Sequence, residues 1–314
     1  MKDLGGKVAV VTGGASGIGL AMARAFAAEG MRLVLADLDE DGLAAAADEL
    51  ATGSADASTV TAVTDVSDPE AVERLRDRAI ESFGAVHVVC NNAGVGGSGL
   101  SWEVPLEQWR WVMGVNFFGV VHGIRSFVPL LVAQNEGHIV NTASAAGLVT
   151  TPFMAPYTAS KHAVVATSET LKMELSGHEV GVSVLCPMWV RTRIDTSSRN
   201  APPEVRAALG RSEDGARQGG PFAEVIAGLV RSGLDPAVVA ARVVEAVKED
   251  RFWVLPHPEV ASGARARGER IASGRPPEFN PASLTPRSAE RQGGQSTPFG
   301  SSLGSTREDG WTTE

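Results

Sequence analysis

Tyr157 and Lys161 lie four residues apart in Tyr-Thr-Ala-Ser-Lys, inside a segment with apolar residues at helical spacing, so their side chains share one face. A phenol is a poor base at neutral pH, with a pKa of about 10, but a nearby ammonium stabilises the phenolate and lowers that value. Taken alone, the pair reads first as an exposed helix pair. Ser144, thirteen residues upstream at the end of HIVNTAS, shifts that reading, because a hydroxyl there could polarise a carbonyl. Tyr157 is the only tyrosine in the chain. Together the three suit proton transfer to or from an oxygen of a small molecule.

A second constellation sits near the start. The apolar run KVAVV leads into Thr12-Gly13-Gly14-Ala15-Ser16-Gly17-Ile18-Gly19 and then a helix-patterned stretch. Glycines at a strand-to-helix turn permit positive φ and let a pyrophosphate approach the backbone, where helix N–H groups meet it. The spacing is G-x-x-x-G-x-G, and no lysine of the ATP-binding loop type is present. Asp37 closes the next strand, eighteen residues after Gly19, where a carboxylate can accept hydrogen bonds from ribose hydroxyls. The alternative for Asp37 is a helix N-cap. A carboxylate there repels a 2′-phosphate, and Ser16, Leu38 and Asp39 offer no positive charge, so NAD is favoured over NADP.

The elements that must position these residues alternate along the chain. Lys7–Val11, Leu33–Ala36, Val60–Val63, Val86–Cys90, His138–Asn141 and Val182–Cys186 read as buried strands. Gly17–Glu29, Asp41–Leu50, Pro69–Phe83 and Pro156–Ser176 read as helices between them. This rhythm implies βαβ units and an α/β fold, a Rossmann-type doubly wound parallel sheet with the first strand central. Residues 1–261 form that single domain. Within it Arg191–Gly233 is a charged, glycine-bearing insertion after the last strong strand, expected to cover the substrate as a lid hinged at Gly210, Gly215, Gly219 and Gly220. From Ser262 to Glu314 the residues are mostly Gly, Ser, Pro, Arg and Thr without periodicity, which predicts a disordered tail over 262–314.

Composition narrows the function classes. Over 314 residues the apolar share is 43% and the charged share 21%, enough for a sizeable core. A net charge of −9 argues against nucleic acid or an anionic membrane surface as partner, both of which call for a positive patch. Cys90 and Cys186 lie in apolar runs and read as reduced core thiols, with no metal-ligand spacing around either. The N-terminal apolar run is too short for a signal peptide, and no apolar stretch approaches the ~20 residues of a bilayer span. A cytoplasmic location is the expectation.

With these motifs in order, the chain resembles the short-chain dehydrogenase/reductase family in its compact single-domain branch, over roughly Gly6 to Pro258. Thr12–Gly19 matches TGxxxGxG, Asn91-Asn92-Ala93-Gly94 matches NNAG, and Asn116, Ser144, Tyr157 and Lys161 match the catalytic tetrad. The resemblance implies an enzyme interconverting a secondary alcohol and a ketone. In it Tyr157 is general acid/base, Lys161 lowers its pKa and holds the nicotinamide ribose, Ser144 binds the reacting oxygen, and Asn116 anchors a relay water. Cofactor contacts carried over are Gly13, Ser16, Gly17, Ile18, Gly19, Asp37, Asp65, Val66, Asn92, Ala93, Gly94, Tyr157, Lys161, Pro187, Val190 and Thr192. Two positions depart from the family pattern: Met188 stands where glycine is usual after Pro187, and His87 stands in place of an acid. The resemblance also implies a homodimer or homotetramer through helices near Asn116–Asn135 and Pro156–Ser176.

The substrate is less legible. Trp102, Phe153, Met154, Met188 and Trp189 fall in loops expected to border the pocket, beside Ser144 and Tyr157, and suggest an apolar or aromatic alcohol or ketone. The segment Gly233–Val260 is similar to the end of relatives that oxidise benzylic (Cα) alcohols of lignin-derived aryl ethers. Two other classes stay open: an epimerase or dehydratase of the extended branch, whose loop spacing and large C-terminal domain differ, and a non-catalytic binding or regulatory protein on the same fold.

Overall fold

A computed structural model describes residues 1–53, 58–210 and 221–279. Seven parallel strands form one sheet in the order β3-β2-β1-β4-β5-β6-β7. They are β1 (Val8–Thr12), β2 (Arg32–Asp37), β3 (Thr59–Val63), β4 (Val88–Asn91), β5 (Gly137–Thr142), β6 (Val180–Leu185) and β7 (Trp253–Val254). The α/β, doubly wound fold expected from the alternation is therefore present, and β1 lies inside the sheet between β2 and β4. Strands β1, β4, β5 and β6 are buried along their whole length, which explains why they read as mostly apolar runs rather than alternating ones. The seventh strand is two residues long and left no readable pattern.

Helices α1 (Gly17–Ala28), α2 (Glu40–Gly53) and α3 (Pro69–Phe83) connect the first half. In the second half α4 (Leu106–Met113) passes through a π-helical turn (Gly114–Phe118) into α5 (Gly119–Gln134), and α6 (Ala155–Glu174) joins β5 to β6. The chain order reverses between β1 and β4, and the cleft that this opens at the carboxyl ends of the strands is the usual ligand site of such sheets. Thr12 fixes the cleft. Its Oγ1 accepts from the N–H groups of Asn92 and Ala93 at 2.9 and 3.1 Å and donates to the Cys90 carbonyl.

Polar pins dock α6 on the sheet. Asn91 Nδ2 donates to Asn141 Oδ1 at 2.9 Å, and Asn141 Nδ2 donates to Ser168 Oγ at 3.0 Å. All three are buried, and an apolar substitution at any one would strand a polar neighbour at about 1–3 kcal/mol. Asn91 also needs α5 close by: a Cβ on Gly123 would sit 1.9 Å from its Oδ1.

Two expectations need correction. The helix running from Leu106 through Gln134 is 29 residues long and holds an 18-residue stretch of mean hydropathy 1.5, so an apolar stretch close to bilayer-spanning length does exist. Its buried residues, among them Val120, Phe127 and Leu131, belong to the core clusters of this fold. Second, the change of composition at Ser262 does not end the ordered chain. Beyond α7 (Pro203–Gly210), α8 (Pro221–Arg231) and α9 (Pro236–Glu249), a final helix α10 spans Glu259–Ala272. Only Val260 of α10 is buried, so there was little apolar periodicity to read, and alanines and arginines of good helix propensity carry it instead. The part of the expected tail over 280–314, and hinge glycines Gly215, Gly219 and Gly220, lie outside the described residues. Cys90 and Cys186 are both buried and free.

Candidate active site

The glycine turn is built for close approach. Gly13 and Gly17 take φ of +67° and +56°, which side chains disfavour. Gly19 lies beneath the turn rather than on the cavity surface, where a Cβ would come within 2.0 Å of the Gly13 carbonyl oxygen. Ser16 precedes α1, and no side chain caps the first turn of that helix, so its N–H groups remain available to an anion. Asp37 accepts from the Ala15 N–H at 3.1 Å and from the Asp39 N–H at 3.2 Å, lining the same cavity. The N-cap alternative falls to its neighbour, since Asp39 Oδ1 accepts from Gly42 N–H at 3.0 Å ahead of α2. Asp65 turns in upon Ser67, accepting from its N–H at 2.9 Å.

One cavity of about 1350 Å³ connects these groups with the second constellation. Gly13, Ser16, Gly17, Ile18, Asp37, Asp65, Val66, Asn92, Ala93, Gly94, Ser144, Tyr157, Lys161, Pro187, Val190 and Thr192 all line it, as do Met154, Met188 and Trp189. Phe153 and Trp102 do not. Phe153 is 40% exposed with φ +63°, its carbonyl accepting from Gly99 N–H, and this left-handed kink turns Met154 rather than Phe153 to the cavity. Trp102, 78% exposed, stands out into solvent.

Lys161 is 3% exposed, donates to the Thr142 carbonyl at 2.9 Å, and lies 5.7 Å from the Tyr157 ring centroid. Burial lowers its pKa to about 8. The Tyr157 phenol is pushed up by burial, against a hydrogen bond with Ser144 that pulls it down. Desolvation is the larger of the two, so the shift runs opposite to the depression expected beside an ammonium. Ser144 Oγ also accepts from the Ala146 N–H at 3.1 Å, which fixes the hydroxyl at the end of β5.

Asn116 is wholly buried behind the cavity wall. Its Oδ1 accepts from Val95 N–H at 2.8 Å, and its Nδ2 donates to the Val95 carbonyl and to Ser160 Oγ. The side chain thus holds a loop and α6 in place. It sits in the π turn, where the widened backbone departs from ordinary helical bonding.

Three contributors were missed in the sequence. His257, 3% exposed, accepts from Met188 N–H through Nδ1 and pairs with the Trp189 carbonyl through Nε2, both at 3.1 Å. Arg199, from the insertion, feels the charges of Asp39 and Asp37. Finally, α10 and the residues after it form one wall of the cavity. None of these carried a motif; each arrives from far along the chain. Part of the Arg191–Gly233 insertion lines the cavity too, through Arg193, Ser197, Leu209, Ile226 and Val230.

Residues 7–203 match the short chain dehydrogenase family. The chain belongs to that family. Among relatives of this short-chain dehydrogenase, a Streptomyces exfoliatus 1-deoxy-11-beta-hydroxypentalenate dehydrogenase is 41% identical over 79% of this chain and 82% of its own. A C alpha-dehydrogenase of a Sphingobium species is 31% identical over 86% of this chain and 87% of its own. The crystal structure of a Burkholderia phymatum short-chain dehydrogenase/reductase in complex with NAD is 44% identical, with a TM-score of 0.83 over 89% of this chain and 99% of that one.

Proposed function

We propose that this chain is an NAD-dependent oxidoreductase that interconverts a secondary alcohol and a ketone, with Tyr157 as general acid/base. The observation that carries this reading is the single cavity into which the uncapped glycine turn, Asp37, Lys161, Tyr157 and Ser144 all open. The turn fits a pyrophosphate and Asp37 fits the adenosine ribose, whose hydroxyls donate to a carboxylate. Bound NAD supplies the hydride acceptor for oxidation, and its reduced form the donor for reduction.

The chain's own residues handle the proton. In oxidation the Tyr157 phenolate takes the proton from the alcohol oxygen, while the Ser144 hydroxyl donates to that oxygen and holds it in place. The Lys161 ammonium stabilises the phenolate, and its bond to the Thr142 carbonyl keeps it beside the ring. In reduction Tyr157 returns the proton. Because burial raises the phenol, oxidation should accelerate with rising pH as the phenolate fraction grows, and reduction should slow.

The substrate is an apolar alcohol or ketone, in keeping with Met154, Met188, Val149 and Trp189 on the cavity wall and with relatives that include a hydroxypentalenate dehydrogenase and a C alpha-dehydrogenase. The described part of the insertion borders it through Leu209, Ile226 and Val230. Assembly as a dimer or tetramer uses helices α5 and α6, as expected from the family. The test is reduction of NAD, followed at the reduced-nicotinamide band, across a panel of apolar secondary alcohols. Turnover with NAD and little with NADP supports the reading; no turnover of any alcohol or ketone by a chain that binds NAD favours a binding protein.

A further inference from the structure

The wall contributed by α10 has a chemistry of its own. Ser262, Gly263, Ala266, Arg267, Arg270 and Ile271 all line the cavity, and their spacing traces a single face of the helix. Gly263 sets that face against the loop after Ser144, since a Cβ there would lie 3.0 Å from Val149 Cγ1. Small residues therefore form the part of the face that meets this loop. One helical turn farther along, about 6 Å, the face becomes cationic.

Its two arginines differ. Arg270 is half-buried and paired, its Nη2 lying 3.1 Å from Glu278 Oε2. Arg267 makes no hydrogen bond or ion pair among the described residues, although it faces the cavity. An arginine on an exposed helix is ordinarily a solvated surface charge of little consequence. This one, though exposed, lines the same chamber as the apolar side chains of Met154, Leu209, Ile226, Val230 and Ile271. The chamber is large. At about 1350 Å³ the whole cavity exceeds the roughly 300–1,000 Å³ of one drug-sized ligand, so beside a dinucleotide there is room for a second bulky molecule.

Building on the alcohol–ketone reading above, we propose that the substrate is a bulky apolar hydroxy or keto acid whose carboxylate, remote from the reacting carbon, is held by Arg267 with Arg270 beside it. A guanidinium presents a planar fork that matches a carboxylate. One cation unpaired among the described residues, next to one already paired with Glu278, suits a single negative charge, not the double charge of a phosphate monoester. Anion and apolar body together select amphipathic acids over neutral alcohols of the same skeleton.

The experiment uses the full chain with NAD and matched probes: lithocholate, a positional series of hydroxystearates, and the methyl ester of each. Turnover is measured for the native chain, Arg267→Gln and Arg267→Lys. Calorimetric binding of each acid and ester to NAD-loaded Tyr157→Phe is measured in parallel, so that recognition is read even without chemistry. The acid is expected to exceed its ester by at least about tenfold in kcat/KM and in affinity for one or more skeletons. Arg267→Gln should erase that preference by raising KM for the acid, with kcat, ester turnover and KM for NAD within about twofold, and Arg267→Lys should restore part of it. Equal use of acid and ester by the native chain, equal loss of both in Arg267→Gln, or no binding of any acid overturns the proposal. Acids that bind better than esters yet are never oxidised would leave the anion site standing and defeat the alcohol–ketone reading instead.

Discussion

His257 Nδ1 accepts a hydrogen bond from the backbone N–H of Met188 at 3.1 Å, while its Nε2 meets the carbonyl of the next residue, Trp189. One buried imidazole, arriving just after β7, thus clasps the backbone on either side of the Met188–Trp189 peptide bond, in the segment that follows β6 along the cavity. The arrangement requires neutral histidine with the proton on Nε2, and burial keeps its pKa below the ordinary value despite the Trp189 carbonyl. His257→Phe would leave the Met188 N–H without its acceptor, at about 1–3 kcal/mol, while the Trp189 carbonyl keeps the Leu234 N–H at 2.9 Å. The expected result is a lower Tm and a several-fold higher KM for NAD and substrate. His257→Asn and His257→Gln, each able to remake one bond, should fall between; a phenylalanine variant indistinguishable from the native chain would remove the clasp from the account.

Cofactor choice rests on Asp37. Its carboxylate accepts from Ala15 and Asp39 N–H groups at the edge of the glycine turn, where a 2′-phosphate would meet its charge. Asp37→Ala with Leu38→Arg is expected to weaken NAD and admit NADP, shifting the ratio of kcat/KM values by about two orders of magnitude if each change contributes ~1.4 kcal/mol. Arg199, close enough to feel Asp37 and Asp39, should assist NADP in that variant. A native chain that already prefers NADP would contradict the role given to Asp37.

The sheet was legible because β1, β4, β5 and β6 are buried along their length, which leaves mostly apolar runs in the sequence. The glycine turn and the Tyr157–Lys161 pair were legible because their constraints are local: positive φ at Gly13 and Gly17, and one helix face for the pair. What escaped reading depends on tertiary placement. Phe153 and Met154 are neighbours, and only the backbone kink decides which one enters the cavity. His257 pairs with residues 69 and 68 positions earlier, and α10 buries too little to show a period. The direction of the Tyr157 shift could not be read either, because the balance of burial against the Ser144 hydrogen bond is set by packing.

Acid sensitivity should trace to the opposite end of the sheet. His138 is 1% exposed, its Nε2 paired with Ser183 Oγ at 2.8 Å, and Gly181 makes room for the ring. Burial lowers its pKa from 6.5 to about 3, the charge of Asp250 only partly opposing this. The unfolded chain therefore takes up the proton first: stability is full above about pH 6.5 and declines by roughly 1.4 kcal/mol per pH unit down to about pH 3. His138→Gln, which can still donate to Ser183, should flatten that acid limb in urea unfolding while lowering stability at neutral pH. An unchanged slope in the variant would assign the acid limb to other groups.

The central claim is that Tyr157 moves the proton within an NAD-dependent alcohol–ketone interconversion, and Tyr157→Phe tests it most directly. The substitution removes only a hydroxyl from a side chain half-buried on the cavity wall, so the fold and the glycine turn should be undisturbed. Measured at the reduced-nicotinamide band with whichever alcohol the native chain oxidises, kcat should fall by at least ~10², the usual share of general acid–base catalysis. NAD affinity, read separately by calorimetry, should stay within a few-fold. A phenylalanine variant that kept half the native turnover with intact NAD binding would contradict the account.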